Sequence, residues 1–321
     1  MAFGHDEMLR IGAVALACAP LALLSLGLAG FGRSSRDFAS TAFFGGALAG
    51  LVGFATYFVI IALPHLLGGG PLAIADGFVG AAVPEEFAKY VLFIRIVSAH
   101  EDAEIGLDVI LGMAWIGLGF ACLENLLFVT SAKNVYQVGF IRAMLSVPLH
   151  FTLGIVMGSC LVMAKQPQRS ARLWTVIALL VPIALHGAYD SGLFLIRFAA
   201  ADRMTALVVV AGVIILIAVL VAAGAVTVIA RFGAYRLDGS GRPIGTVRPK
   251  HTIERVGRGF AVTICALFAL FFLPTIPLMQ TRSPSVVPLW IAIGVLMLAL
   301  TVLFWRGPAV FRRRAAQLSS E

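Results

Sequence analysis

The sequence predicts an all-α fold: a polytopic helical membrane protein of about nine transmembrane helices, with the N-terminus outside and the C-terminus cytoplasmic. Composition is the first reason, since 60% of the 321 residues are hydrophobic and only 12% are charged. A mean hydropathy of +0.98 is far more than a soluble domain of this size needs for its core. The second reason is spacing, because apolar runs of bilayer-spanning length recur along the whole chain. The third is charge asymmetry: of the 24 Lys and Arg, 17 fall in alternate linkers, the tail and one helix end, and six on the opposite side. That bias sets the orientation.

The first run, near 11–31, follows an N-terminal segment that is acidic and contains His5, and it is longer than the core of a signal peptide. It therefore reads as a retained first helix rather than a cleaved leader. The second falls near 38–67, and residues 1–71 form a first pair. The third, near 72–98, contains Pro84, which suits a first helical turn where its missing N–H is tolerated. The piece 72–83 is expected to be kinked or broken away from the rest. Runs near 105–130, 138–164 and 173–199 complete a four-helix core, 72–199. Three more, near 204–230, 260–279 and 287–305, make an accessory segment, 200–321. Its linker 231–258 is rich in Gly, Arg and Pro and reads as a cytoplasmic stretch against anionic headgroups.

The net charge of +8 and pI near 9.8 do not point to nucleic acid, because basic loops are what the orientation rule produces. The bilayer is the partner to expect. The scattered cysteines, Cys18, Cys122, Cys160 and Cys265, read as small buried hydrophobes rather than disulfides or metal ligands.

Chemistry concentrates in the four-helix core. A charged side chain at the bilayer centre is opposed by about 3 kcal/mol or more, so such groups mark function. Glu85 and Glu86 sit in the first turn after Pro84. They point about 100° apart, and Lys89 stands i+4 from one and i+3 from the other, able to neutralise either. One glutamate is then paired and the other free to take a proton. Phe120 and Glu124 share a helix face, with Asn125 next to them; Phe120 reads mainly as core packing. His150 is mid-helix, and His186 and Asp190 lie one turn apart on a common face, where a carboxylate can fix an imidazole tautomer. Helix depth allows all of them to meet at one level. Such a cluster supports water activation by a glutamate, with histidine or asparagine stabilising an oxyanion. It equally supports a metal held by His150, His186 and a carboxylate, with Glu124 the candidate. Zinc and no cofactor both remain open.

Glu85-Glu86-x-x-Lys89, Phe120-x-x-x-Glu124, the helix-five histidine and His186-x-x-x-Asp190 resemble, in order and helix placement, the motif set of the PrsW family of bacterial intramembrane proteases. The resemblance covers about 72–199. That family is similar to the type II CAAX prenyl endopeptidases and to the multi-pass scaffold subunit of γ-secretase. It implies a multi-pass protease of the bacterial cytoplasmic (inner) membrane, glutamic or metallo in type, cutting a membrane-anchored protein such as a single-pass anti-sigma factor. By the same resemblance Glu85 is the general base or a ligand, with Glu86 and Lys89 orienting it. His150 and His186 position water or the oxyanion, with Glu124 and Asp190 supporting or ligating. The CAAX relatives carry histidine where this chain has Glu124 and commonly asparagine where it has Asp190, so this site is more acidic. The rival readings are a non-catalytic scaffold, disfavoured by the complete Glu-Glu-x-x-Lys motif, and a proton-coupled carrier, disfavoured by the lack of an internal repeat.

Overall fold

A computed structural model describes residues 5–30, 36–66, 73–99, 106–165, 169–198, 235–237 and 243–246, with isolated positions at 262, 291, 295, 298, 299 and 302. The helices are α1 His5–Gly30, α2 Arg36–Leu66, α3 Ala73–Ala75, α4 Val83–Ala99, α5 Gly106–Ser131, α6 Val135–Ile141, α7 Val147–Ala164 and α8 Ala171–Phe198. These match the first six apolar runs to within a few residues. Among the described residues, four stretches are long and apolar enough to cross a membrane: Asp37–Tyr57, Asp108–Ser131, Val135–Ala164 and Ala171–Phe194. The runs near 204–230, 260–279 and 287–305, Cys265, and with them the count of nine, lie almost wholly outside the described residues.

Two rods change their winding instead of breaking. α3 passes into α4 through a π-helical stretch, Asp76–Ala82, and α6 passes into α7 through another, Arg142–Ser146. The Val83 N–H bonds Phe78 O and the Val147 N–H bonds Arg142 O, five residues back in each case. Each of these valines is followed by a proline, Pro84 and Pro148. Proline cannot supply the next amide bond, and local rewinding is one way a helix absorbs that loss. Of the piece 72–83, the described residues 73–83 are therefore not a separate segment, because their backbone stays helical into α4. Both prolines stand one or two residues before an ionisable side chain, Glu85 and Glu86 in α4 and His150 in α7.

α5 is the hub, packing chiefly on α7 and α2 and also on α1. The spans of α6–α7 and α5 are 89% and 72% buried, against 33% for α2 and 22% for α8, which puts α5 and α7 inside. α5 and α7 come close enough that a methyl at Gly117 would overlap the backbone carbonyl of His150. Small residues at such crossings are how membrane helices gain packing without a hydrophobic driving force. Phe93 of α4, Ile110, Met113 and Ile116 of α5, and Phe151 and Ile155 of α7 fill the centre. Large apolar side chains on the outer helices, among them Phe44, Phe87 and Leu180, are exposed, as lipid contact requires.

Outside the helices, Tyr235–Leu237 and Pro243–Thr246 form a two-stranded antiparallel ribbon within the linker 231–258. It is the one departure from all-helical structure among the described residues.

Candidate active site

All nine residues singled out in the sequence come from α4, α5, α7 and α8, and the fold brings them into one buried group. The Lys89 ammonium lies 2.7 Å from Glu86 Oε1 and 3.0 Å from His150 Nδ1. It also sits 3.7 Å above the centroid of the Phe120 ring. Lys89 and Glu86 are each only 1% exposed. The pairing expected of one glutamate is therefore made by Glu86, at i+3. Phe120 does more than fill space: it carries the lysine cation on its face, and its ring centroid lies 4.7 Å from that of His150.

His150 is held at both nitrogens. A charged lysine can only donate, so Nδ1 accepts from Lys89 and Nε2–H donates to Glu124 Oε2 at 2.7 Å. Glu124 Oε2 is also 2.6 Å from Arg142 Nη2 and accepts from the Ser146 hydroxyl at 3.2 Å. Arg142 Nε donates to Asn125 Oδ1 at 2.8 Å, and Asn125 Nδ2 donates to the Ala17 carbonyl of α1 at 2.9 Å. One chain of polar contacts thus runs from α1 through α5 to the histidine of α7.

On the other side, His186 Nδ1 stands 2.8 Å from Glu86 Oε1. Its Nε2 faces Asp190 Oδ2 at 3.3 Å and Glu85 Oε2 at 3.6 Å. Although the two glutamates point apart on their helix, they approach opposite nitrogens of one imidazole. The rings of His150 and His186 meet edge to face with centroids 5.0 Å apart.

Two polar side-chain atoms among the described residues are sealed from solvent and unpartnered, Glu85 Oε2 and Glu86 Oε2. Four carboxylates (Glu85, Glu86, Glu124, Asp190) meet two cations, Lys89 and Arg142. With neutral imidazoles the group holds two more negative than positive charges. Uncompensated buried charge is strongly unfavourable, so protons or a divalent cation must balance it. The donors fit such a cation: Glu85, His150 and His186 each bring one ligand atom to within 4.8 Å of the other two. The carboxylate of this set is Glu85, while Glu124 Oε2 is shared by Arg142, Ser146 and His150. To take part, His150 would release one of its present partners.

A cavity of about 280 Å³ opens beside the group, with Glu85, Glu124, Arg142 and Asp190 on its polar wall. Phe54 and Tyr57 of α2, Phe128 of α5 and Phe194 of α8 line much of the rest. Arg142, Ser146 and Tyr189 belong to the site although no motif flagged them. Charge counting places Arg142, near a helix end, among the six basic residues of the outer side, yet its side chain is 13% exposed. The only sequence signal for Tyr189 was its place one turn after His186.

A family model described as "PrsW family intramembrane metalloprotease" matches residues 35–223. Proteins named "Protease PrsW" are similar over the same order of length. That of Oceanobacillus iheyensis is 33% identical over 36% of this chain and 53% of its own. That of Geobacillus kaustophilus is 34% identical over 36% and 51%. That of Bacillus subtilis is 34% identical over 39% and 56%. The chain thus spans about half the length of these relatives. No solved structure matches it.

Proposed function

Because the chain belongs to the PrsW family of intramembrane metalloproteases, we propose that it is an endopeptidase of the bacterial cytoplasmic membrane that hydrolyses a peptide bond in a membrane-anchored protein, such as a single-pass anti-sigma factor. The observation that carries this reading is Glu85. The residue lines a cavity and its side chain is 10% exposed, while its Oε2 accepts no hydrogen bond and stands 3.6 Å from His186 Nε2. A carboxylate so placed can take a proton from water and return it to the departing amide nitrogen.

The surrounding groups prepare that exchange. Glu86 stays with Lys89 and accepts from His186 Nδ1–H, which turns His186 Nε2 toward Glu85 and Asp190. Glu124 holds His150 through Nε2–H in the same way. Both imidazoles are thereby fixed in orientation beside the reacting water, which removes reorganisation from the barrier. Glu85, His150 and His186 would hold a divalent ion such as zinc, which would supply Lewis-acid polarisation of the carbonyl and of water.

The test is cleavage of a labelled single-span substrate in proteoliposomes by wild type, Glu85→Gln and Glu86→Gln. Glu85→Gln is expected to insert and fold normally and to lose about 10²–10⁴ in kcat. Full activity in Glu85→Gln would exclude the reading.

A further inference from the structure

Tyr189 lies one turn from His186 on α8, is 5% exposed, and lines the same cavity as Glu85, Glu124, Asp190 and Arg142. Buried tyrosine hydroxyls usually find a partner. Here none of the described hydrogen bonds involves the Tyr189 hydroxyl. Nor is it among the sealed, unpartnered oxygens, which are those of Glu85 and Glu86. Without a partner among the described hydrogen bonds, the hydroxyl of this cavity-lining residue is available to a group bound in the cavity. Arg142, Asp190 and Glu124 are the charged groups that act on it.

We propose that Tyr189 is a catalytic residue, its phenolic O–H donating a hydrogen bond to the oxyanion formed when water adds to the scissile carbonyl. The inference rests on the peptidase reading above. In the addition step the water oxygen bonds to the carbonyl carbon, one water proton passes to a carboxylate of the site, and the C=O π pair moves onto oxygen. That oxyanion accepts from Tyr189. On collapse the pair re-forms the carbonyl, the C–N bond breaks, and the carboxylate returns the proton to nitrogen. Nothing is oxidised or reduced. Tyr189 suits the role because its hydroxyl is uncommitted, whereas Asn125, the other neutral donor considered, is bound to Ala17 and Arg142. A donor pointed at charge that develops only in the transition state contributes more to kcat than to substrate binding.

Tyr189→Phe keeps the ring and removes the donor. The expected result is a fall in kcat of about 10²–10³ with KM little changed. A phosphinate peptide, which mimics the tetrahedral intermediate, should lose affinity by a similar factor while a non-cleavable amide analogue binds as before. Melting in detergent should be unchanged. Full kcat in Tyr189→Phe, or equal losses for both analogues, would overturn the assignment. Glu85→Gln in the same assay separates the two proposals. If it is inactive while Tyr189→Phe is fully active, only the tyrosine assignment fails. A wild type without peptidase activity removes both.

Discussion

Lys89 of α4 and His150 of α7 stand 3.0 Å apart, ammonium to Nδ1, although they are 61 residues apart in the chain. The contact decides the histidine's tautomer, because an ammonium has no lone pair to offer and must donate. It also joins the two halves of the site. On one side Lys89 carries Glu86 and, through it, His186; on the other His150 carries Glu124 and Arg142.

Removing the lysine should therefore damage the fold as well as the chemistry. Lys89→Ala leaves Glu86 charged, buried and without its cation, a loss of about 3–5 kcal/mol. Unfolding in detergent measures it. The double variant Glu86→Gln, Lys89→Met should recover most of that stability and none of the activity.

Arg142 is expected to behave as a positioning group for Glu124. Arg142→Ala should destabilise by about 3 kcal/mol, since it breaks a mostly buried pair from one side. Arg142→Lys can keep the charge near Glu124 but cannot also reach Asn125 through a second nitrogen of a fork. Its activity should fall between wild type and Arg142→Ala while KM stays near the wild-type value.

Gly53 of α2 tests how Glu85 is aimed. A methyl there would stand 2.8 Å from Glu85 Cγ, closer than carbon atoms approach. Gly53→Ala should still fold, because the flexible end of Glu85 can move, and the displaced carboxylate should lower kcat about 10²-fold. Steady-state kinetics beside circular dichroism would separate displacement from unfolding.

Metal removal is the fourth expectation. The purified protein should hold about one divalent ion, and chelation should abolish activity that zinc then restores. Glu85→Gln should lower the metal content. Activity that survives chelation in metal-free protein would instead leave Glu85 as the base of a glutamate protease.

Much of the site was legible because intramembrane ionisable residues are rare and expensive, so Glu85, Glu86, Lys89, Glu124, His150, His186 and Asp190 announced themselves. Their helix spacing indicated that they could meet. Spacing could not say which glutamate would pair with Lys89, since i+3 and i+4 are nearly equivalent on a helix surface. Arg142 was hidden by counting charges at helix ends, a rule that is blind to a side chain folding inward. Nor could spacing say which carboxylate would stand with His150 and His186; in the fold it is Glu85, while Arg142 pairs with Glu124. The π-helical stretches left only the paired Val-Pro sequences at 83–84 and 147–148 as a trace. The ribbon of residues 235–237 and 243–246 was hidden in a stretch whose Gly, Arg and Pro content reads as a linker.

The most direct test is mass spectrometry of substrate fragments produced by the reconstituted protein in ¹⁸O-water. Hydrolysis at this site should place one ¹⁸O in the new C-terminal carboxyl group with wild type and yield no fragment with Glu85→Gln. Labelled fragment produced equally by both proteins, or no fragment from wild type with any single-span substrate, would contradict it.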